Sequence, residues 1–210
     1  HLNQSGQEQA KLQMVRKAIQ SLESPIPLPE VIAQSPKIEG YRMVSKLVAG
    51  KAKHGALRLG ARNRDGAIVP IPDCLVTDSD LNNLGKQITY LLERLEIFPY
   101  TQSHPSGVRN IVLRKSSLNG RILVTVVATR KSFHLESLAD HISELPFNIQ
   151  GVLLHLNSEK GNAIFVRDHK GRASTIPLFG QRTIRESVGG IEYIMGPGDF
   201  FQVNLDVALL

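Results

Sequence analysis

The chain has 210 residues, 41% of them hydrophobic, a single cysteine and a formal net charge of +6. That length suffices for one sizeable core with a small appendage, and a lone Cys74 excludes an intrachain disulfide or a complete cysteine-based metal site built from this sequence alone. There is no apolar run long enough to span a bilayer, and His1 to Gln9 is polar, so neither a membrane helix nor a signal peptide is expected and a cytoplasmic setting is.

The basic balance, with a pI near 9.6, favours polyanionic partners, because Lys and Arg neutralise phosphates and release condensed counterions. A basic surface that merely keeps the protein soluble is the competing reading. The first residue is not Met and the last four, Val207 to Leu210, form an apolar run with no capping or breaking residue after it, so a fragment is expected at both ends.

From Glu8 to Leu22 the apolar residues Leu12, Val15, Ile19 and Leu22 recur at helical spacing, with Ser5 available as a cap, which predicts an amphipathic helix. Four prolines, Pro25, Pro27, Pro29 and Pro36, then deny the backbone both helix and ladder bonds and predict an extended strap. Short β-prone runs follow at Tyr41 to Val48, Ala56 to Ala61 and Ala67 to Ile71, separated by turn chemistry at Gly50 to Gly55 and at Asn63-Arg64-Asp65-Gly66. Asp78 to Glu96 places Leu81, Leu84, Ile88, Leu91, Leu92 and Leu95 on one face behind a cap at Asp78 or Ser79, and predicts a helix.

Val108 to Leu113 and Arg121 to Thr129 flank Asn119-Gly120, a pair that tolerates positive φ and predicts a hairpin. Leu135 to Leu145 returns to the helical period, and Ile149 to Leu156 reads as a buried strand. The tail predicts short strands at Ala163 to Val166, Gln181 to Val188 and Ile191 to Met195. The fold class is therefore α+β: an antiparallel sheet with helices packed on one face, preceded by a helix and a Pro-rich strap.

Chemistry concentrates in few places. Gly196-Pro197-Gly198-Asp199 forms a turn that brings backbone close to something, followed by Phe200, Phe201, Gln202, Val203 and Asn204. Aromatic rings stack on bases and amides read base edges; two aromatic residues closing the sheet core is the other reading. Arg42, Lys46, Lys51, Lys53, Arg58, Arg62 and Arg64 crowd the first sheet region, where alternation can set several on one face as phosphate contacts or as a solvated basic face. The seven histidines lack metal-ligand spacing and read as scattered surface or satisfied core residues. The acidic residues show no paired arrangement, so hydrolase-type acid–base catalysis has no support.

The run Gly198-Asp199-Phe200-Phe201-Gln202-Val203-Asn204 resembles the Ser-x-x-Phe-Phe-Gln-Val-Asn signature that opens the catalytic part of RNA uracil-C5 methyltransferases acting on ribosomal and transfer RNA. Further blocks resemble that family in the same order: Gly40-Tyr41-Arg42, Gly55 to Ile71 leading to Cys74, Val108 to Arg114, Gly151 to Asn157, and Leu178-Phe179-Gly180 followed by Ile184-Arg185-Glu186. Together they cover nearly the whole chain.

The resemblance implies S-adenosylmethionine as methyl donor with Gln202 among its ligands, Phe200 beside the RNA base, and a uridine of ribosomal RNA, in preference to transfer RNA, as the target; Arg42, Lys46, Arg58, Arg62 and Arg64 of the basic cluster are the candidate RNA contacts. It also implies that Cys74 matches the fourth ligand of a [4Fe-4S] cluster in cluster-bearing members, whose other three cysteines precede a segment like His1-Leu2; a buried free cysteine is the other reading. The implied organisation is residues 1–36 as a helix and strap, a remnant of the segment after that Cys motif, 37–195 as a central RNA-binding domain, and 196–210 as the start of a class I, Rossmann-like methyltransferase domain that is otherwise missing.

Departures from the family pattern are the absence of a Gly-rich cofactor turn after a strand, of a later acidic residue for the ribose, and of the Asp-Pro-Pro-Arg stretch that carries the nucleophilic cysteine. Uracil C5 attacks a methyl sulfonium only after a thiolate adds at C6, and Cys74 lies in the wrong context. No catalytic residue is expected in this segment, which by itself is expected to be inactive. A standalone structural or protein-interaction domain of the same fold is the alternative.

Overall fold

The computed structural model describes residues 3–22, 25–51, 57–101, 105–159 and 161–209. The His1-Leu2 segment, Lys53, His54 and Gly55 of the first predicted turn, the Ala56 start of the second predicted strand, His104 and Leu210 lie outside the described residues. The chain divides into two compact units, residues 1–36 with Leu210 and residues 37–209.

In the first unit, helix α1 (Gln4–Gln20) is capped by Asn3 rather than by Ser5: the Asn3 Oδ1 accepts from the Gly6 N–H at 2.9 Å, which starts the helix a turn earlier than the apolar period does. The strap runs without helix or ladder through its prolines, and the Arg16 Nε donates to the Pro29 carbonyl at 2.7 Å.

The second unit contains β1 (Val44–Lys51), β2 (Leu57–Arg62), β3 (Ile68–Pro70), α2 (Ser79–Arg94), β4 (Val108–Lys115), β5 (Ile122–Ala128), α3 (Phe133–Ser143), β6 (Ile149–Leu156), β7 (Ile176–Gly180), β8 (Ile184–Val188), β9 (Ile191–Met195) and α4 (Leu205–Ala208). A seven-stranded sheet has the order β3-β2-β1-β4-β5-β6-β7, and β8 pairs with β9 in a separate hairpin. The expected antiparallel sheet is in fact mixed, since β5 and β6 run parallel. Parallel neighbours need a crossover, and α3 supplies it.

Helix α2 sets Leu81, Leu84, Ile88 and Leu92, and α3 sets Leu135, Leu138 and Ile142, against Leu47, Ile111, Leu113, Val124, Val126, Val152 and Leu154 of the sheet. Each fully buried side chain of this size contributes roughly 1.5–3 kcal/mol. Gly85 lets α2 approach β1, since a Cβ there would stand 3.2 Å from the Leu47 Cδ1. On the opposite face the β8–β9 hairpin packs Ile184 and Met195, with Phe201, over Leu123 and Leu153. With both faces covered, every residue of β5 is buried, so the strand shows a continuous apolar run instead of alternation.

One tail expectation fails, and one strand forms that the sequence did not predict. Residues 163–166 form no strand: the Asn157 Nδ2 donates to the Ala163 and Ile164 carbonyls at 2.7 and 3.1 Å, and the Val166 N–H donates to the His155 Nε2 at 2.9 Å. Side chains from the end of β6 thus take the backbone groups that a ladder would use. Conversely β7 forms on the edge although it contains Pro177, because an edge position does not need the missing N–H. The other edge strand, β3, ends in Pro70.

The start of α2 is tied to the end of β4. Asp78 caps the helix by accepting from the Asp80 N–H at 3.0 Å, while the Lys115 Nζ reaches both Asp78 oxygens at 2.9 and 3.0 Å and the Asp80 Oδ2 at 2.7 Å. Burial alone would lower the Lys115 pKa, but the two carboxylates outweigh it and raise the value. A raised lysine contributes stability that is whole below the unfolded value of about 10.4 and is lost as the pH climbs through the folded one. Lys115→Met should therefore lose about 2 kcal/mol at neutral pH, measured by urea unfolding, and the gap to the parent should close at strongly alkaline pH. A gap that stays constant up to the alkaline limit would refute the ion-pair account.

Candidate functional site

The turn after β9 is closed by its own residues: the Gly196 N–H donates to the Asp199 Oδ2 at 2.7 Å. It is also fastened from outside. Arg167 donates to the Gly198 carbonyl, and a Cβ on Gly198 would stand 3.1 Å from the Ala173 Cβ and 3.4 Å from the Phe165 ring, so a larger residue would push these neighbours back by a few tenths of an ångström.

Beneath the turn lies Arg114 of β4, only 4% exposed. Its Nη2 donates to the Asp199 carbonyl at 2.6 Å, its Nη1 lies 3.8 Å from the Met195 sulfur, and its Nε has no partner among the described residues. Burial lowers the Arg114 pKa, and the charges of Asp199 and Glu186 act against that shift. Glu186 is itself buried, accepting from the Ser117 N–H and Oγ at 2.8 and 2.6 Å and from the Ser187 N–H at 3.0 Å. A buried charge unaided would cost several kcal/mol; here charge, carbonyl and hydroxyl groups converge from β4, β8 and the turn.

The aromatic pair divides between its two readings. Phe201 turns inward onto Leu123, Leu153, Ile184 and Met195 and meets the Tyr193 ring at 5.2 Å in an edge contact. Phe200 is 83% exposed. Gln202 is exposed, whereas Asn204 accepts from the Val207 N–H at 3.3 Å and caps α4. The described residues do not enclose Gln202, and a single exposed amide is short of a site for S-adenosylmethionine, so no step is derived through that group.

The basic residues of the first sheet region do not gather on one face. Lys46 pairs in register with Val112 and Arg62 belongs to the same helix-free face, through the Val48–Gly60 pairing. Arg58 reaches the helical layer, donating to Glu93 of α2 at 2.8 Å. Arg42 is held at a bridge to Thr77, its Nε buried without a partner among the described residues. Arg64 sits in the β2–β3 turn.

Cys74 lies between β3 and α2, its backbone N–H and carbonyl both bonded to the Asn82 side chain, at 3.3 and 3.0 Å. The Thr77 hydroxyl, followed by backbone N–H groups and Arg42, lowers the Cys74 pKa despite partial burial. An iron–sulfur cluster needs four protein ligands; among the described residues no group of three or more His, Cys, Asp or Glu side chains could hold a metal. Cys74 offers one of those four ligands, and no chemistry is derived from a cluster. His155 is a satisfied core histidine, its Nδ1 2.7 Å from the Ser174 carbonyl and its Nε2 accepting from Val166.

Sequence reasoning passed over Arg114, Glu186 and Asp199 as functional residues. The available signal was a charged residue directly after the apolar run Ile111-Val112-Leu113 of one strand.

No protein-family profile matches the chain. An uncharacterised RNA methyltransferase of Streptococcus pyogenes is 32% identical over 158 residues, 74% of this chain and 33% of the relative. A protein of the same description from Streptococcus mutans is 31% identical over 159 residues, 74% of this chain and 34% of the relative. The chain thus spans about a third of the length of these curated relatives. Among solved structures, the Pyrococcus abyssi tRNA (uracil-54, C5)-methyltransferase in complex with S-adenosyl-L-homocysteine superposes with a TM-score of 0.72 at 22% identity, over 100% of this chain and 47% of that one. This likeness identifies the fold.

Because the Arg114 charge is compensated by fixed groups, Arg114→Ala should destabilise the protein by about 3–5 kcal/mol in denaturant titration and expose the Gly196–Asp199 amides to faster hydrogen exchange; a cost under ~1 kcal/mol with unchanged exchange would remove Arg114 as the anchor. Thr77→Val should raise the pKa of Cys74, seen as a shift of the alkylation-rate profile to higher pH, and an unshifted profile would show that the hydroxyl does not act on the thiol.

Proposed function

We propose that this chain, which over the span it shares with its relatives belongs to the RNA methyltransferases, is the RNA-binding central part of an enzyme of the uracil-C5 type that moves a methyl group from S-adenosylmethionine to C5 of a uridine. The proposed division is a helix and strap over 1–36, the RNA-binding domain over 37–195, and the opening residues of the methyltransferase domain over 196–210. The observation that carries the reading is Phe200: a large apolar ring, 83% exposed, on a turn that Arg114 and Arg167 fasten from below. An exposed ring next to a fastened turn is a platform on which an unstacked base gains roughly 1–3 kcal/mol.

Lys46, Arg62 and Arg64 supply phosphate contacts that position the RNA without reading its sequence. Gln202, two residues beyond Phe200, is proposed as a donor-side contact to the cofactor. The methyl donor supplies the electrophilic carbon; the thiolate that must add at C6 is not assigned to Cys74, which is engaged between β3 and α2. The 210-residue chain alone is accordingly proposed to bind RNA without methylating it. The target is proposed to be a uridine of ribosomal RNA; the solved neighbour is a tRNA (uracil-54, C5)-methyltransferase, which favours transfer RNA as the alternative.

A protein-interaction module is the second reading, favoured by the exposed apolar side chains of Ile191 and Ile194 on β9. Fluorescence anisotropy with labelled ribosomal and transfer RNA hairpins separates the two. The RNA reading expects affinity that falls steeply between ~50 and ~200 mM salt, a loss of roughly 5- to 150-fold in Phe200→Ala, and a shallower salt slope in Lys46→Glu and Arg64→Glu. Salt-independent binding, or none by a folded chain, would favour the protein-interaction reading, and incorporation of labelled methyl by the purified chain would overturn the inactive assignment.

A further inference from the structure

Strand β4 carries an irregularity that the proposed function does not use. Its pairing with β5 shifts register between Val108 and Asn110, a β-bulge. In a regular strand Val108 and Ile111 would face opposite ways, yet both lie in the core beneath the helices. The inserted residue turns Arg109 and Asn110 together onto the helix-free face, where both line one cleft. Bulges re-aim side chains in this way at binding sites.

The cleft has a volume of about 440 Å³, within the range of about 300–1,000 Å³ typical of small-ligand sites. One wall is fixed by Arg109, which donates to the Asn157 carbonyl and Oδ1 at 3.1 and 2.9 Å, to the Glu159 carbonyl at 2.7 Å and to the Gly161 carbonyl at 2.7 Å. The same guanidinium lies over the Tyr100 ring at 5.2 Å. Arg109 is thus engaged in holding the loop and the ring in place. Val48, Ala49 and Ile164 make the apolar side.

Asn110 is the residue that points to a ligand. It is 8% exposed and lines the cleft, so its side-chain amide is presented to the cleft rather than to bulk solvent. A group that can both donate and accept, facing a cleft of this size, matches the paired donor and acceptor of a base edge, as Asn does with adenine N6 and N7. Glu159 on the rim adds an acceptor suited to an exocyclic amino group and unsuited to a phosphate. Arg62, bonded through one Nη to the Gly66 carbonyl at 3.0 Å, retains donors for the phosphate.

We infer that this cleft binds one unpaired adenine nucleotide of the RNA, with Asn110 on the base edge, Tyr100 beside the base and Arg62 on the phosphate. The inference rests on the RNA-binding reading, but the site is separate from the Phe200 turn and can fail separately.

The test is two-dimensional NMR of the isotope-labelled chain titrated with AMP and with UMP, alongside RNA hairpins that differ in one unpaired adenine. AMP should shift the backbone amides of Val48, Asn110, Asn162 and Ile164, UMP should do so much less, and Asn110→Leu and Arg62→Gln should each weaken AMP and the adenine hairpin about tenfold. The Arg62→Gln change lies on the surface, so it reports even if Asn110→Leu does not fold. Absence of AMP shifts, or equal response to UMP, would overturn the cleft assignment. If the hairpins bind in a salt- and Phe200-dependent manner while the cleft amides stay still, this inference fails and the RNA-binding reading stands. If AMP shifts the cleft but no hairpin binds, the RNA-binding reading fails and the inference falls with it, leaving only a site for a free adenine nucleotide.

Discussion

A guanidinium placed inside a sheet must find anionic or carbonyl partners or give up its charge, and Arg114 organises half of the molecule around that requirement. It stands on a strand whose other face serves the helical core, so its partners can come only from what folds over the helix-free side. The β8–β9 hairpin brings Glu186, and the turn that follows brings Asp199. The hairpin's apolar residues seal the same region against Leu123 and Leu153. The position of Phe200 and Gln202 is thereby a downstream result of where one arginine is buried.

The two sheet faces follow different physics. Beneath the helices the contacts are apolar and non-directional, and they tolerate small adjustments at modest cost. On the other face Arg114, Glu186, His155, Asn157 and Arg109 bind by directional hydrogen bonds to particular carbonyls and N–H groups. Such networks are costly when half satisfied and rigid when complete. Both surfaces proposed to meet RNA lie on this directional side, where geometry is held to hydrogen-bond tolerance.

What pattern alone reveals follows the same division. Helix α2 is legible because one-sided burial leaves a helical period, strands β4 to β6 because burial leaves short apolar runs, and the Ile191 to Met195 strand because β-prone residues stand between glycine turns. Residues 163–166 carry a strand-like composition, but Asn157 and His155 intercept their backbone groups, and a side-chain donor on a neighbouring strand leaves no periodic trace. Two adjacent aromatic residues in an extended chain must face opposite ways, yet nothing in the sequence says that Phe201 is the one turned inward. The bulge at Arg109 is likewise silent, since a one-residue insertion changes parity without changing composition. The family resemblance located the turn; the burial of Arg114 explains why it is rigid.

Both outermost strands of the seven-stranded sheet contain a proline, Pro70 in β3 and Pro177 in β7. A wide sheet with open borders is a template onto which further strands, from a second copy or an unfolded chain, can add. Each proline removes one donor and fixes one φ at the border, so a strand arriving there finds an interrupted ladder. Growth of the sheet sideways is opposed on both flanks, and association is directed to the two broad faces. For a protein with a seven-stranded sheet and a basic surface, that is protection against polymerising along its own edge while it waits for a partner.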